Sequence, residues 1–67
     1  MTINYKNKLG YPRRAKINFN RNEGVYRVII WDMSTGELVA WQNMTKQEAI
    51  DYFAYYSIQI FKKGDLS

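Results

Sequence analysis

A β-hairpin that runs directly into a capped helix is the strongest structural signal in this 67-residue chain. Residues 25–33 are rich in β-branched and aromatic side chains, a Ser-Thr-Gly turn follows, and residues 37–43 return as a second strand. Thr45 and Glu48 then have the spacing of a capping box, in which each side chain bonds the backbone amide of the other residue. The stretch predicts two antiparallel strands followed by a helix.

Alternation of apolar and polar residues predicts a further strand before this hairpin. Over residues 14–21, Ala15, Ile17 and Phe19 point to one face of the sheet and polar residues point to the other. The pattern is shorter near the N-terminus. We therefore expect residues 1–12 to form either an arm or an edge strand.

The C-terminal helix is expected to span residues 45–63, because apolar side chains recur there at helical spacing. We predict a single α+β domain in which a three-stranded antiparallel meander over residues 14–43 packs on this helix, with a fourth strand if residues 1–12 join the edge of the sheet. The predicted core consists of Ile17, Phe19, Val28, Ile30, Leu38 and Ala40 from the sheet and Ile50, Phe53, Ala54, Ile58 and Phe61 from the helix.

Composition excludes several classes of function. The chain has neither cysteine nor histidine, so it has no thiolate and lacks the commonest general base and metal ligand. It also shows no glycine-rich phosphate loop and no nucleophile paired with a base. We expect no enzyme activity, no cofactor and no metal site. With no apolar run of membrane-spanning length and no secretory signal, a cytoplasmic protein is expected.

Positive charge is concentrated in the N-terminal half of the chain. The formal net charge is +4. Arg13, Arg14 and Lys16 follow a Tyr-Pro pair at the junction of a predicted loop and strand, where they could contact phosphates. Such asymmetry indicates an acidic partner, although a solvated loop would have the same composition.

The face of the hairpin opposite the predicted core has an unusual composition. The two-residue period of a strand places Arg27, Ile29 and Trp31 on one face, and Val39 and Trp41 on the same face of the next strand. Aromatic rings beside cations and amides suit a DNA groove, exposed bases or a protein partner. Alternatively, Ile3, Tyr5, Leu9 and Tyr11 cover this face as a second small core.

The helix carries a second cluster of aromatic residues. Tyr52, Tyr55 and Tyr56 lie beside or opposite its apolar stripe. They would either shield the edges of a small core or form a face for a partner, including a second copy of the chain.

Three segments together resemble two families of DNA-binding domain. They are Tyr26-x-Val28-x-Ile30, Gly36-Glu-Leu-Val-Ala-Trp41 and Thr45-x-x-Glu48. The pattern is similar to the DNA-binding domain of plant ethylene-response factors and to the arm-type domain of tyrosine recombinases. The resemblance implies three strands packed on a helix, with the outer face of the sheet against the DNA major groove.

The first hypothesis is therefore a small DNA-binding module of phage or mobile-element type, which docks its outer sheet face and basic N-terminal loop on a duplex. The alternative is an inhibitor or adaptor that binds a host protein through Ile29, Trp31, Val39 and Trp41. A homodimer through the tyrosine-rich helix is a third possibility. DNA is expected ahead of RNA, and the predicted contact residues are Arg13, Arg14, Lys16, Asn18, Arg27, Trp31 and Trp41.

Overall fold

The computed structural model describes residues 1–61 and contains a four-stranded antiparallel sheet and one helix. The strands are β1 (Thr2–Lys6), β2 (Pro12–Asn20), β3 (Val25–Asp32) and β4 (Leu38–Met44), and the helix is α1 (Lys46–Ala54). Strands adjacent in sequence are adjacent in the sheet, in the order β1-β2-β3-β4. The predicted α+β class is confirmed. The N-terminal segment supplies the fourth strand, at the edge beside β2.

Each hairpin turn begins with a side chain that caps its own loop. Asn7 Oδ1 accepts from the amides of Leu9 (3.0 Å) and Tyr11 (2.9 Å). Asn20 and Asp32 open the next two turns in the same way. Asx side chains bond the backbone two residues on, and these short loops therefore join antiparallel neighbours and produce a meander.

The helix begins where the capping box predicts. Thr45 Oγ1 accepts from the Glu48 amide (3.1 Å), and Glu48 Oε1 accepts from the Thr45 amide (2.8 Å). The helix starts directly after β4, and its Phe53 ring lies 6.0 Å from the ring of Tyr5 on β1. It therefore crosses the inner face of the sheet from one edge to the other.

The helix ends at Ala54, so the prediction that it continues to residue 63 is wrong for the part of the chain that the structure describes; residues 62 and 63 lie outside it. Ser57 adopts a left-handed backbone conformation (φ 61°). The amides of Ser57 and Ile58 donate to the carbonyls of Ala54 (2.9 Å) and Phe53 (3.0 Å). These two bonds form a Schellman motif, in which a serine takes the position usual for glycine.

The width of the sheet explains this early end. Nine helical residues span about 13.5 Å. Three gaps between neighbouring strands span about 14 Å. A helix continued to residue 63 would leave the sheet and expose its apolar stripe. Instead the chain turns back over the inner face, where Ile60 is buried and the Phe61 ring lies 4.9 Å from the ring of Tyr26 on β3.

The core lies between the sheet and a second layer, which consists of the helix and of residues 57–61 that follow it. Its buried residues are Ala15, Ile17, Val28, Ile30, Met44, Ala49, Phe53 and Ile60. Four predicted core residues are exposed: Phe19, Leu38, Ala40 and Ala54. Phe19 faces the same way as Ile17, but it packs against Tyr26 at 5.0 Å near the end of the sheet and remains 53% exposed. A sheet this small cannot bury both ends of its strands.

A β-bulge changes the direction of side chains in β4. Ile30 pairs with Ala40, but the next residue, Trp31, pairs with Leu38, which leaves Val39 as the extra residue. Leu38 therefore shares a face with Trp31. The prediction that Val39 occupies that position and Leu38 the core is wrong, because strict alternation cannot anticipate an inserted residue.

Candidate functional site

The face of the sheet opposite the helix is the candidate functional site, and it is called the outer face below. Cross-strand pairing arranges its side chains in three rows. The first row is Asn4, Arg14, Trp31 and Leu38. The second is Thr2, Lys16, Ile29 and Trp41, and the third is Asn18, Arg27 and Asn43. Six of the seven predicted contact residues are thus brought together on one surface.

The outer face carries cations on its strands and, within residues 1–61, no carboxylate at an outward strand position. Arg14 Nε donates to Asn4 Oδ1 (3.0 Å), which holds this guanidinium on the surface. Glu23, in the turn after β2, borders the face and accepts from Asn43 Nδ2 at 3.5 Å. Within residues 1–61 the strands therefore present a positive surface, and the carboxylate of Glu23 borders it at the β2–β3 turn.

Arg13, the seventh predicted contact residue, lies on the opposite face. Its Nη1 is 3.1 Å from Asp32 Oδ2, and both side chains are partly buried. The Ser34 amide, which donates to Asp32 Oδ1 at 2.7 Å, and the Arg13 guanidinium hold the pKa of Asp32 below its ordinary 3.8. Arg13 therefore forms an ion pair within the fold, whereas its neighbour Arg14 lies on the outer face.

The predicted basic loop does not supply the positive charge of the outer face. Arg13 and Arg14 belong to strand β2 and not to a loop. In the loop itself, Lys8 Nζ lies 4.5 Å from the ring centroid of Tyr55 on the helix side of the molecule. The positive charge of the site accordingly comes from strands.

Both tryptophans lie on the outer face. Trp41 is 57% exposed, and the Arg27 guanidinium carbon lies 5.5 Å from its ring centroid. Trp31 is partly exposed and lines a depression with Thr2, Arg14, Lys16, Met33 and Gly36. Two aromatic rings thus lie among cations on one face of the sheet.

The predicted second core over these rings does not form within residues 1–61. Ile3 and Tyr5 point to the inner face and pack against the core. Leu9 and Tyr11 are exposed in the β1–β2 loop. The N-terminal segment therefore widens the outer face instead of covering it.

The three tyrosines predicted on the helix lie in its last turns and directly after it, and they divide into two groups. Tyr52 and Tyr56 are partly buried, and the rings of Tyr5 and Tyr56 lie 5.1 Å apart. Burial raises the pKa values of Tyr5, Tyr52 and Tyr56 above the ordinary 10.0. Tyr55 is 62% exposed. Two of the three rings predicted as a partner face therefore close one edge of the core.

Several residues of the outer face were not among the predicted contacts: Thr2, Lys6, Asn4, Leu38 and Asn43. The first three come from β1, and the alternation of Ile3 and Tyr5 with polar residues was the available signal for them. Leu38 was misplaced because of the bulge. Asn43 follows directly from the alternation with Trp41.

Within residues 1–61 no group of three or more acidic, histidine or cysteine side chains is arranged to hold a metal ion. Over the same residues no helix has the length and apolarity needed to cross a membrane.

Comparison with family models, with curated proteins and with solved structures finds no match to this chain. The geometry of the outer face is therefore the basis for a functional proposal.

Proposed function

We propose that this chain is a small non-enzymatic DNA-binding protein that contacts its ligand through the outer face of the sheet. One observation carries the proposal. Arg14 and Lys16 on β2 and Arg27 on the neighbouring strand β3 lie on the same face of the sheet, and no carboxylate lies between them on these strands. Phosphates supply most of the affinity in nucleic-acid binding, and cations on a rigid surface meet them without ordering a loop.

Amides and aromatic rings support the same proposal. Asn4, Asn18 and Asn43 offer donors and acceptors beside the cations. Trp31 and Trp41 offer π-surfaces, which contact bases without regard to sequence. The combination fits nucleic acid better than a small metabolite, because it is spread over a flat surface of several strands.

Salt dependence tests the proposal. Binding of fluorescein-labelled duplex and single-stranded DNA would be followed by fluorescence anisotropy. If Arg14, Lys16 and Arg27 each contact one phosphate, affinity should fall about 20- to 40-fold between about 50 and 200 mM salt. Absence of binding to either form at low salt, with the protein folded by circular dichroism, would refute the proposal.

A matched pair of variants separates this surface from general charge. Arg14→Ala/Lys16→Ala removes two cations from the outer face. Lys8→Ala/Lys46→Ala removes two from the helix side, where they lie over Tyr55 and Phe61. Only the first variant should weaken binding and lower the salt slope, by about 0.7 to 0.9 per lost contact.

Binding of a protein through the apolar part of the outer face is the second candidate. Leu38 and Trp41 are each about half exposed on the outer face, and Val39, the extra residue of the bulge, is exposed to a similar extent. An exposed tryptophan such as Trp41 is a common anchor of protein interfaces. Such binding would be insensitive to salt. A pull-down from host lysate at high salt would test this candidate. A protein that the wild type captures and that the Trp31→Ala and Trp41→Ala variants do not capture would support it.

A further inference from the structure

The outer face fits one form of nucleic acid better than the other. We propose that its ligand is a single strand, with bases stacked on Trp31 and Trp41 and phosphates beside Arg14, Lys16 and Arg27. This inference rests on the proposed function and adds strandedness to it. Three observations carry it: the width of the sheet, the exposure of the rings and their spacing.

The sheet is too wide to enter a DNA groove whole. Its four strands span about 14 Å between the outer strand axes. The major groove is about 12 Å wide and admits a helix or a two-stranded ribbon. Outward side chains on all four strands, from Asn4 on β1 to Leu38 on β4, would meet the groove walls. A duplex could contact only part of this surface.

The apolar part of the face needs an apolar partner. Trp41 is more than half exposed, and Ile29 and Leu38 lie beside the two rings. A duplex turns phosphates, sugars and base edges outward and keeps the faces of its bases stacked inside. A single strand exposes those faces, and base–aromatic stacking is the usual way in which proteins hold it.

The spacing of the rings also favours separated bases. Trp41 pairs with Ile29, so Trp31 is its diagonal neighbour, and the α-carbons of such neighbours lie about 7–8 Å apart in an antiparallel pair. Bases stacked in a helix are about 3.4 Å apart. Two bases on these rings would therefore be splayed, as a single strand permits. Each ring also has a cation beside it, since Arg14 pairs with Trp31 and Arg27 approaches Trp41.

Intrinsic fluorescence tests this directly, because the only two tryptophans of the chain are the two proposed stacking platforms. Unlabelled oligothymidylate and oligouridylate of about 16 nucleotides would be titrated into the protein, and a duplex of the same length would serve as the comparison. We expect tryptophan quenching by a single strand and at least tenfold weaker binding of the duplex.

Variants locate the effect. Trp41→Ala should weaken single-strand binding about 5- to 150-fold, the value of one stacked base. Trp41→Phe should restore most of that loss, because it keeps a ring. Tyr55→Ala, which removes an exposed ring directly after the helix, should leave affinity unchanged.

The outcomes are distinct. Duplex binding that equals or exceeds single-strand binding, or single-strand binding that is unaffected by Trp41→Ala, would overturn this inference and leave the proposed function standing. Failure of every oligonucleotide to bind the folded protein would overturn both. Quenching by a single strand that is lost in Trp41→Ala and regained in Trp41→Phe would establish the stacking platform.

Discussion

The inner and outer faces of the sheet are formed by the same four strands but use polar residues in opposite ways. On the inner face, Arg13 is paired with Asp32 and the remaining positions are mostly apolar. On the outer face, Arg14 and its neighbouring cations have no carboxylate beside them on the strands of residues 1–61. Charge that is neutralised locally supports the fold, whereas charge left on a flat surface can attract a ligand.

The largest expected difference between the faces is in stability. Phe53 is fully buried, and Phe53→Ala should cost about 3–5 kcal/mol, as large-to-small core substitutions do. A domain of this size has about that much stability in total, so the variant should be largely unfolded. Trp41→Ala should stay within about 0.5 kcal/mol of the wild type. Urea denaturation monitored by circular dichroism would measure the free energy of unfolding of both variants. Equal decreases would contradict the assignment of stability to the inner face and of ligand contacts to the outer face.

The helix cap has an intermediate effect on the same comparison. Thr45→Ala removes the side-chain acceptor of the Glu48 amide and should lower the free energy of unfolding by about 1 kcal/mol. Thr2→Ala, on the exposed outer face, is the matched control and should change it little. If both substitutions have the same effect in thermal denaturation, the cap does not hold the helix over the inner face.

The neighbouring arginines offer a sharper test. Arg13→Ala should reduce stability and leave DNA affinity unchanged. Arg14→Ala should weaken DNA binding and leave stability nearly unchanged. Because the pKa of Asp32 is lowered in the fold, the stability from this carboxylate is present above pH 3.8 and is lost as pH falls further. The stability gap between wild type and Arg13→Ala should therefore narrow in acid. Unfolding curves at neutral and acidic pH measure this gap, and a constant gap would contradict the ion pair.

The smallest expected effect is at alkaline pH. Burial raises the pKa values of Tyr5, Tyr52 and Tyr56 in the folded chain above 10.0. An unfolded chain ionises these groups first, so their stability contribution is complete below pH 10 and is lost as pH rises through their folded pKa values. In the Tyr5→Phe/Tyr52→Phe variant, the denaturation midpoint should therefore fall less than in the wild type as pH rises above 10. Outer-face variants such as Lys16→Ala should not alter it.

Much of the fold was predictable because local chemistry determines it. The alternation at Ala15 and Ile17, the Asx-initiated turns and the capping box at Thr45 each act within a few residues. The end of the helix was not predictable in this way. Its apolar stripe continues past Ala54, but the chain turns at Ser57 because the helix has reached the edge of the sheet.

The candidate site divides along the same line. Alternation by itself placed Arg27, Ile29, Trp31 and Trp41 on one face, since side-chain direction in a strand is a local property. The position of Leu38 depended on a bulge, and the separation of Arg13 from Arg14 depended on where β2 begins and on Asp32 across the sheet.

The sequence by itself determined the α+β class, the start of the helix and the placement of Arg27, Ile29, Trp31 and Trp41 on one face, because these follow from turn chemistry, capping and the two-residue period of strands. Only the tertiary structure decided that β1 joins the sheet edge, that the helix stops at Ala54 and that the tryptophans stay uncovered. Those outcomes depend on the width of the sheet and on which apolar residues the inner face can bury, and both arise from contacts between residues distant in sequence.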